Sequence, residues 1–246
     1  MSLSIILTCF NEVPIIFGSY TALTTMMQAA RIDYEFIVVD DGSSEAVQRA
    51  LQAFFPEGRV RLILSSQNEG RGAAVTKGIR TASKDYVCFI DSDLEIPAYT
   101  LLVLYYTATV FEPGADMVIA DRCYRWNLNL RNLIRNFGSL VVRRITSWAL
   151  DLGSLDTETG AKLFRRSAVL EFLGEVRDKR WFWDTEVVAE AIRHSQRVVQ
   201  APVVVTRRND KRSSMRVVRD VVNFSRALYA YKRKEKVGRR TAGGVV

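Results

Sequence analysis

Two aspartates, Asp91 and Asp93, stand one residue apart directly after the apolar run Tyr86–Ile90. Where a strand gives way to a loop, both carboxylates can approach one hard cation. Mg²⁺ and Mn²⁺ take such oxygen ligands and often share their coordination with substrate phosphates. A solvated turn would explain the same residues, but Glu95 and Pro97, which follow before a helix, favour a metal site.

A second pair of acids follows another apolar run. Asp40 and Asp41 come after Glu35–Val39 and precede Gly42, Ser43 and Ser44. One acid can accept a hydrogen bond from a base or ribose hydroxyl, and the other can cap the next helix together with a serine. Helix capping alone explains the serines but not two adjacent acids.

The segment Asn68–Ala74 (NEGRGAA) has the small residues of a phosphate-binding loop at the start of a helix. Small residues allow a ligand to approach the backbone closely. The segment has neither the GK[ST] ending of a P-loop nor a GxGxxG pattern, so by itself it is a weak signal.

These residues lie between alternating strand-like and helix-like segments. Runs that are apolar throughout are typical of strands covered on both faces, and their alternation with helices predicts an α/β fold with a mostly parallel sheet and helices on both faces. The predicted strands are Ser4–Cys9, Glu35–Val39, Val60–Leu64, Tyr86–Ile90 and Met117–Ala120, and the predicted helices are Val13–Ala30, Ser44–Phe54, Gly72–Thr81 and Pro97–Phe111.

Polar residues gather where these strands end. Ligands of parallel α/β sheets bind outside the carboxyl ends of the strands. Five strand ends therefore deliver polar groups to one edge, in chain order Asn11 and Glu12, then Asp40–Ser43, Asn68 and Gly70, Asp91 and Asp93, and Arg122.

The second half of the chain is less regular. We expect one catalytic domain over residues 1–212, with residues 213–246 forming a basic amphipathic helix and, after Lys232, a mobile tail that belongs to the same domain. The other expected elements are a helix over Leu130–Leu150, a short strand at Lys162–Phe164, a helix at Asp184–His194, and one or two strands at Val198–Val205, interrupted at Pro202.

The positive charge is concentrated in two regions. The chain carries a net charge of +8, yet residues 203–246 alone hold 13 basic and 3 acidic residues, and six arginines with no acid lie between Asp121 and Asp151. Solvated helix faces would explain this pattern. Attraction to phosphate groups, an anionic membrane or nucleic acid would also explain it.

Composition excludes several classes of protein. With 48% apolar and 25% charged residues, the chain is neither disordered nor collagen-like. Cys9, Cys88 and Cys123 are far apart and form no CxxC pair, so we expect reduced thiols rather than disulfides or a zinc site. Reduced thiols are typical of a cytoplasmic protein, which is our expectation. No apolar run is long enough to span a membrane and no signal peptide is evident.

The order of the motifs resembles the family 2 glycosyltransferases, which have the GT-A nucleotide-sugar fold. The second half is similar to the branch that uses polyprenyl phosphates, most of all to dolichyl-phosphate glucosyltransferases and then mannosyltransferases. The matching segments are Ser4–Glu12, Val38–Ser44, Asn68–Gly78, Phe89–Glu95, Ile119–Tyr124, Leu155–Arg166, Arg180–Val188 and Arg207–Arg216.

The resemblance implies a nucleotide-sugar donor, UDP-glucose or GDP-mannose, and a cofactor, Mg²⁺ or Mn²⁺, held by Asp91 and Asp93. A cation would stabilise the charge that develops on the departing nucleoside diphosphate. Arg122 would bind the diphosphate or the acceptor phosphate. The residues expected to contact the nucleotide sugar are Thr8, Asn11, Glu12, Asp40, Asp41, Asn68, Lys77 and Ser92.

The implied acceptor is a polyprenyl phosphate at the cytoplasmic face of a membrane. Its phosphate is largely ionised at neutral pH and needs little help from a general base, whereas a hydroxyl acceptor would need one. Candidate bases are Asp156, Asp184 and Glu186, of which we favour the last two, and the residues expected near the acceptor phosphate are Arg122, Asp156, Arg208 and Ser213. Peripheral docking of the two basic segments on an anionic membrane would follow.

Three alternatives stay open. The acceptor of the same enzyme class would be a sugar hydroxyl of a glycan or glycolipid in one of them. A nucleotidyltransferase would use the same pair of aspartates for its metal. A nucleic-acid-binding module would use the basic C-terminus, but the aromatic residues do not interleave with the charges as stacking platforms would, and we therefore expect no nucleic-acid partner.

Overall fold

The computed structural model describes residues 1–55, 58, 60–124, 143–205 and 217–242. Within them, seven strands form one sheet in the order β3-β2-β1-β4-β6-β5-β7. The strands are β1 (Leu3–Cys9), β2 (Tyr34–Asp40), β3 (Val60–Leu64), β4 (Tyr86–Ile90), β5 (Met117–Tyr124), β6 (Ala161–Arg165) and β7 (Val198–Val205).

The helices alternate with the strands in the first half, as predicted. α1 (Val13–Ala30), α2 (Glu45–Phe54) and α3 (Arg71–Thr81) begin within one residue of their expected positions. α4 (Thr100–Tyr106) starts three residues later than expected and continues as a π-helical turn, Thr107–Phe111. The α/β class with a mostly parallel sheet is therefore confirmed.

The direction of β6 decides which loops share an edge. β6 is antiparallel to both of its neighbours, β4 and β5, so the carboxyl ends of β4 and β5 lie at the same edge as the beginning of β6. β1, β2, β3 and β4 are mutually parallel and end at that edge too. Since β7 is parallel to β5, the carboxyl ends of six strands, β1 to β5 and β7, lie at the edge where β6 begins.

β7 is a single strand, although Pro202 interrupts its sequence pattern. Among the strands of the described residues it lies at the edge of the sheet and pairs with β5 alone, where Pro202 stands opposite Asp121. Proline has no amide hydrogen to donate, and this is tolerated in an edge strand, where one side makes no ladder hydrogen bonds.

Both faces of the sheet are covered, which explains why its strands are mostly apolar and why β4 is apolar at every position. In β1, Ile5 and Leu7 pack in the cluster that contains Leu23 of α1, whereas Ile6 packs in the opposite cluster with Val75 of α3. Successive residues of a strand point to opposite faces, so a strand between two helical layers needs apolar residues at every position.

The remaining helices are α5 (143–150), α6 (Arg166–Phe172), α7 (Trp183–Arg193) and α8 (Val217–Ala242). α6 was not predicted. The backbone of α8 stays helical ten residues beyond Lys232, where the sequence predicted the start of a mobile tail. The part of the predicted helix before residue 143 lies outside the described residues, as do Arg208 and Ser213.

Tyr231 of α8 packs with Phe182 and Leu152 in a small separate cluster. Cys9, Cys88 and Cys123 are free thiols, in agreement with the expectation. None of the helices in the described part of the chain is long and apolar enough to cross a membrane.

Candidate active site at the carboxyl edge of the sheet

The loops after β1 and β2 are bonded to each other. Asn11, in a left-handed conformation with a φ of 56°, accepts a hydrogen bond from the Ser44 amide at 3.0 Å and donates its own amide to Ser43 Oγ at 2.8 Å. Asp40 is fully buried and accepts bonds from the Ser43 amide and from Gln48 Nε2. Asp40 therefore fixes the loop and the start of α2.

Asp41 links this loop to the one after β3. Its carboxylate accepts the backbone amides of Glu69 at 2.9 Å and Gly70 at 2.8 Å. Gly42 adopts a φ of 75°, and a Cβ there would overlap the backbone of Gln67. The two adjacent acids thus have different roles, since Asp40 stabilises the loop after β2 and Asp41 stabilises the loop after β3.

The remaining residues expected at the nucleotide lie around these loops. Thr8 and Glu12 are half-buried, whereas Asn68 and Asn11 are exposed at the edge. Lys77 donates to Ser65 Oγ at 2.9 Å and to Glu69 Oε1 at 2.6 Å. The hydrogen bonds and charges of Lys77 and Lys179 lower the pKa of Glu69 to about 2.

The aspartate pair after β4 lies in a tight turn. Asp91 keeps 35% of its side-chain surface exposed, and its amide donates to Gly160 O at 2.9 Å. Asp93 accepts the Glu95 amide at 3.2 Å. Ser92 is buried, and its carbonyl oxygen accepts a bond from Ser19 of α1, so this backbone carbonyl ties the turn to the first helix.

Gly160 is the residue that makes room for the Asp91 carboxylate. A Cβ at residue 160 would overlap Asp91 Oδ2. Any larger residue would move the carboxylate or the start of β6. Sequence reasoning missed this glycine, because its requirement comes from a loop almost 70 residues away along the chain.

A chain of alternating charges starts at Asp91. Arg71 donates to Asp91 Oδ1 from Nε at 2.8 Å and to Asp184 Oδ2 from Nη1 at 2.5 Å. Lys162 donates to the other Asp184 oxygen at 2.7 Å and to Thr159 O at 2.7 Å. Asp184 and Lys162 are almost completely buried, so the two cations compensate a carboxylate that water does not reach.

The surroundings of this network shift the pKa values of Asp91 and Lys162. Burial and the charges of Asp184 and Asp93 raise the pKa of Asp91 in spite of Arg71. Burial lowers the pKa of Lys162, against the attraction of Asp184. Sequence reasoning missed Lys162, although a lysine inside the apolar run Ala161–Phe164 is a recognisable signal of a buried ion pair.

Arg122 forms a separate ion pair at this edge. Its Nε and Nη2 each lie 2.7 Å from an oxygen of Asp156, which is 1% exposed. Burial would raise the pKa of Asp156, but the hydrogen bonds and charges of Arg122 and Arg143 lower it below its usual value. Two residues that the sequence assigned to the acceptor are therefore bonded to each other.

Glu158 lies between the two charged networks and was not predicted as a site residue. Its Oε1 is buried, with no hydrogen-bond partner among the described residues. Burial, together with the charges of Asp156 and Asp184, raises its pKa to about 7 against the attraction of Arg122 and Lys162.

Glu186 has other partners than Asp184, although both lie in the first turn of α7. Its Oε2 accepts the amides of Arg177 at 3.0 Å and Asp178 at 2.7 Å, in the segment before α7. Burial raises its pKa, and these hydrogen bonds oppose the rise. The observed contacts of Glu186 hold this segment, whereas those of Asp184 join the network of Asp91.

The residues at Asp91 fit a hard divalent cation. Asp91 and Asp93 offer carboxylate oxygens in one turn, and the lack of a side chain at Gly160 allows the Asp91 carboxylate to lie there. Burial, and after it the charges of Asp184 and Asp93, raise the pKa of Asp91, and a bound cation would favour its ionised form. Among the described residues, another group of possible ligands comprises Glu175, Glu190 and His194 at the end of α7, where Arg193 already pairs with both glutamates.

The family model "Glycosyl transferase family 2" matches residues 4–173, more than half of the chain and all of the edge loops described above except the one before α7. The chain belongs to glycosyl transferase family 2.

Comparison with curated proteins agrees with this membership. The family 2 chain is 27% identical over 225 residues to the dolichyl-phosphate beta-glucosyltransferase of Saccharomyces cerevisiae, covering 82% of this chain and 66% of that protein. It is 23% identical over 209 residues to the Dictyostelium discoideum protein of the same name, covering 79% and 63%. The alignments thus span less than two thirds of these relatives' lengths.

Comparison with solved structures supports the GT-A fold. Glucosyl-3-phosphoglycerate synthase from Mycobacterium tuberculosis, crystallised with Mn²⁺, UDP and phosphoglyceric acid, superposes with a TM-score of 0.68 at 20% identity. The match covers 93% of this chain and 76% of that one.

Proposed function

We propose that this family 2 glycosyltransferase transfers a hexose from a nucleotide sugar to a polyprenyl phosphate at the cytoplasmic face of a membrane. The observation that carries the proposal is the pair Asp91 and Asp93, in a turn beside Gly160, at the edge where all the parallel strands end. The names of the two dolichyl-phosphate glucosyltransferases support glucose as the sugar and a lipid phosphate as the acceptor. UDP-glucose is the favoured donor, and GDP-mannose the other.

In this proposal, Asp91 and Asp93 hold Mg²⁺ or Mn²⁺. The bound cation would supply positive charge for the diphosphate as it leaves. Asp40 and Asp41 act by fixing the loops after β2 and β3, against which the base and ribose lie together with Thr8, Asn11, Glu12 and Asn68. Lys77 and the Ser92 backbone complete the donor side of the site.

The proposed reaction is a single displacement. An oxygen of the acceptor phosphate forms a bond to the anomeric carbon while that carbon's bond to the diphosphate breaks, and the diphosphate oxygen takes the electron pair. Attack from the opposite face inverts the configuration. Because the acceptor phosphate is already ionised, no side chain has to remove a proton.

Positive side chains are available for the acceptor phosphate. Arg122 lies at the edge and keeps 15% of its side chain exposed while Asp156 orients it through a two-point contact. Planar guanidinium groups suit phosphate recognition. We propose Arg122 for this contact, with Arg208 and Ser213 of the basic segment that follows β7.

Membrane docking would use α5 and α8. Exposed apolar side chains on these helices include Trp148, which is 84% exposed, and Tyr229, which is 72% exposed. Lys232 lies over the Trp148 ring, 5.9 Å from its centroid, which joins the two helices. Aromatic side chains next to basic ones are typical of helices that lie in the headgroup region of an anionic membrane.

A sugar hydroxyl is the second candidate acceptor, and Glu158 is the observation that favours it. A hydroxyl must lose a proton during transfer, and a half-buried carboxylate with a pKa of about 7 is suited to accept it. If the acceptor is a phosphate, the Glu158→Gln variant should stay active, because no general base is needed. If the acceptor is a hydroxyl, the same variant should be inactive.

The deciding experiment is a transfer assay with radiolabelled UDP-glucose and GDP-mannose. Polyprenyl phosphate in detergent is the acceptor, and product is counted in the organic phase. We expect label to appear there with Mn²⁺, and to be lost in EDTA and in Asp93→Ala. Asp33→Asn is the matched control, because this 66% exposed aspartate precedes β2 at the opposite edge of the sheet. Full activity of Asp93→Ala, or activity in EDTA, would contradict the proposed mechanism.

A further inference from the structure

Arg71 places a positive charge directly beside the proposed metal ligands. Its guanidinium contacts Asp91 Oδ1 from two nitrogens, at 2.7 and 2.8 Å, and reaches Asp184 with the third. Asp91 Oδ2, the oxygen beside Gly160, has no part in these contacts. A cation bound to Asp91 Oδ2 would therefore share its carboxylate with a guanidinium.

The structure holds Arg71 in this position from several sides. It is the first residue of α3, its side chain is only 13% exposed, and its guanidinium carbon lies 5.1 Å from the centroid of the Phe89 ring. A Cβ at Gly72 would come within 2.5 Å of Trp183, so the start of α3 packs tightly on α7. Arg71 is thus a fixed charge rather than a long side chain that samples the solvent.

The charges on either side of Arg71 are nearly balanced without a metal. Asp91 and Asp184 face Arg71 and Lys162, and Asp93 adds one further negative charge in the same turn. A divalent cation that binds alone is attracted by Asp93 and Asp91 but repelled by the guanidinium a few ångströms away. A nucleoside diphosphate brings several anionic oxygens, which can face both the cation and Arg71 and so remove this repulsion.

We propose that Arg71 is a positioning residue that makes binding of the divalent cation conditional on the nucleoside diphosphate. This inference rests on the proposed function, because it requires that both ligands use this edge. It adds an order to their binding, in which the cation alone binds weakly and the cation with the diphosphate binds tightly. By linkage, the cation raises the affinity for the diphosphate by the same factor.

The test is a titration with Mn²⁺ at pH 8, in which free Mn²⁺ is measured by electron paramagnetic resonance, with and without UDP or GDP. It uses the full chain in four forms: wild type, Arg71→Met, Arg71→Lys and Arg80→Met. Methionine removes the charge and keeps an apolar contact with Phe89. Arg80 lies in the last turn of the same helix and is exposed, which makes it the matched control.

We expect Arg71→Met to bind Mn²⁺ without nucleotide about tenfold more tightly than the wild type. A tenfold change in affinity corresponds to a modest part of the repulsion energy between such charges at an effective dielectric constant of about 20. The gain in Mn²⁺ affinity that the diphosphate confers should shrink by at least the same factor. Arg71→Lys should keep most of the wild-type coupling, and Arg80→Met should keep all of it.

Two results separate this inference from the function on which it rests. Wild-type protein that binds no Mn²⁺ even with UDP or GDP would overturn the metal mechanism and this inference together. Wild-type protein with strong coupling that Arg71→Met fully retains would overturn the inference alone, as would weaker binding of Mn²⁺ to the nucleotide-free variant. If circular dichroism shows that Arg71→Met does not fold, Arg71→Gln, which keeps hydrogen-bond donors, takes its place in the same comparison.

Discussion

Replacing Glu158 with glutamine should make the protein more stable at pH 8 and should change little at pH 5. Burial raises the pKa of the Glu158 carboxyl from 4.5 to about 7 in the folded state. Between these values the unfolded chain releases a proton that the folded protein retains, so the free energy of unfolding falls as the pH rises. Below pH 4.5 both states are protonated, and above pH 7 the full cost is present.

The size of the effect follows from the shift. At about 1.4 kcal/mol per pKa unit, the ionised carboxylate costs about 3 kcal/mol at pH 8 and less than about 1 kcal/mol at pH 5. Glutamine has the shape of the protonated acid and no charge. For a chain of this size, each kcal/mol corresponds to about 2–4 °C, so the variant should melt about 6–12 °C above the wild type at pH 8.

The assay is thermal unfolding followed by circular dichroism at half-unit intervals from pH 4.5 to pH 8.5. Glu45→Gln serves as the control, because the Glu45 side chain is 85% exposed, and its profile should run parallel to that of the wild type. Parallel profiles for Glu158→Gln and the wild type would refute the reasoning, since they would mean that Glu158 titrates alike in the folded and unfolded states.

Three further predictions address the metal site, the buried ion pair and the membrane surface. Gly160→Ala should weaken Mn²⁺ binding in the presence of UDP at least about tenfold, because its Cβ displaces the Asp91 carboxylate, whereas Gly174→Ala, whose Cβ meets nothing within 4 Å, should bind like the wild type. Lys162→Met should lower the free energy of unfolding in urea by about 3 kcal/mol, because buried Asp184 loses one of two cations, and a loss below about 1 kcal/mol would contradict this. Deletion of residues 233–246 removes five basic and one acidic residue and should weaken binding to anionic liposomes at least about tenfold without changing UDP binding, and equal liposome binding would exclude a role for the tail.

Much of the fold could be read from the sequence because each element carries its own signal. The strands between helical layers are mostly apolar, and β4 is apolar at every position. The bounds of β3 and β4 agree with the predicted ones to the residue. α6 was missed because its seven residues are too few to show a helical period. The extension of α8 beyond Lys232 was missed because a highly charged segment has no apolar stripe to mark it.

The roles of individual acids were harder to predict than their positions. Asp184 and Glu186 look equivalent in the sequence, since both lie in the first turn of one helix. In the structure, Asp184 binds Arg71 and Lys162, whereas Glu186 binds two backbone amides before α7. Neighbouring residues of a strand point to opposite faces, so the sequence pattern alone tells them apart. The partners of two residues in one helical turn depend on which segments pack against that helix.

The sequence by itself determined which polar residues reach the carboxyl edge, because the ends of buried parallel strands are fixed by where their apolar runs stop. Only the tertiary structure decided how those residues pair. Arg71, Asp91, Lys162 and Asp184 come from four elements up to 113 residues apart, and Gly160 matters only because Asp91 lies against it. Local patterns fix backbone direction, whereas charge pairing depends on distances of a few ångströms between distant segments, and those distances exist only in the folded chain.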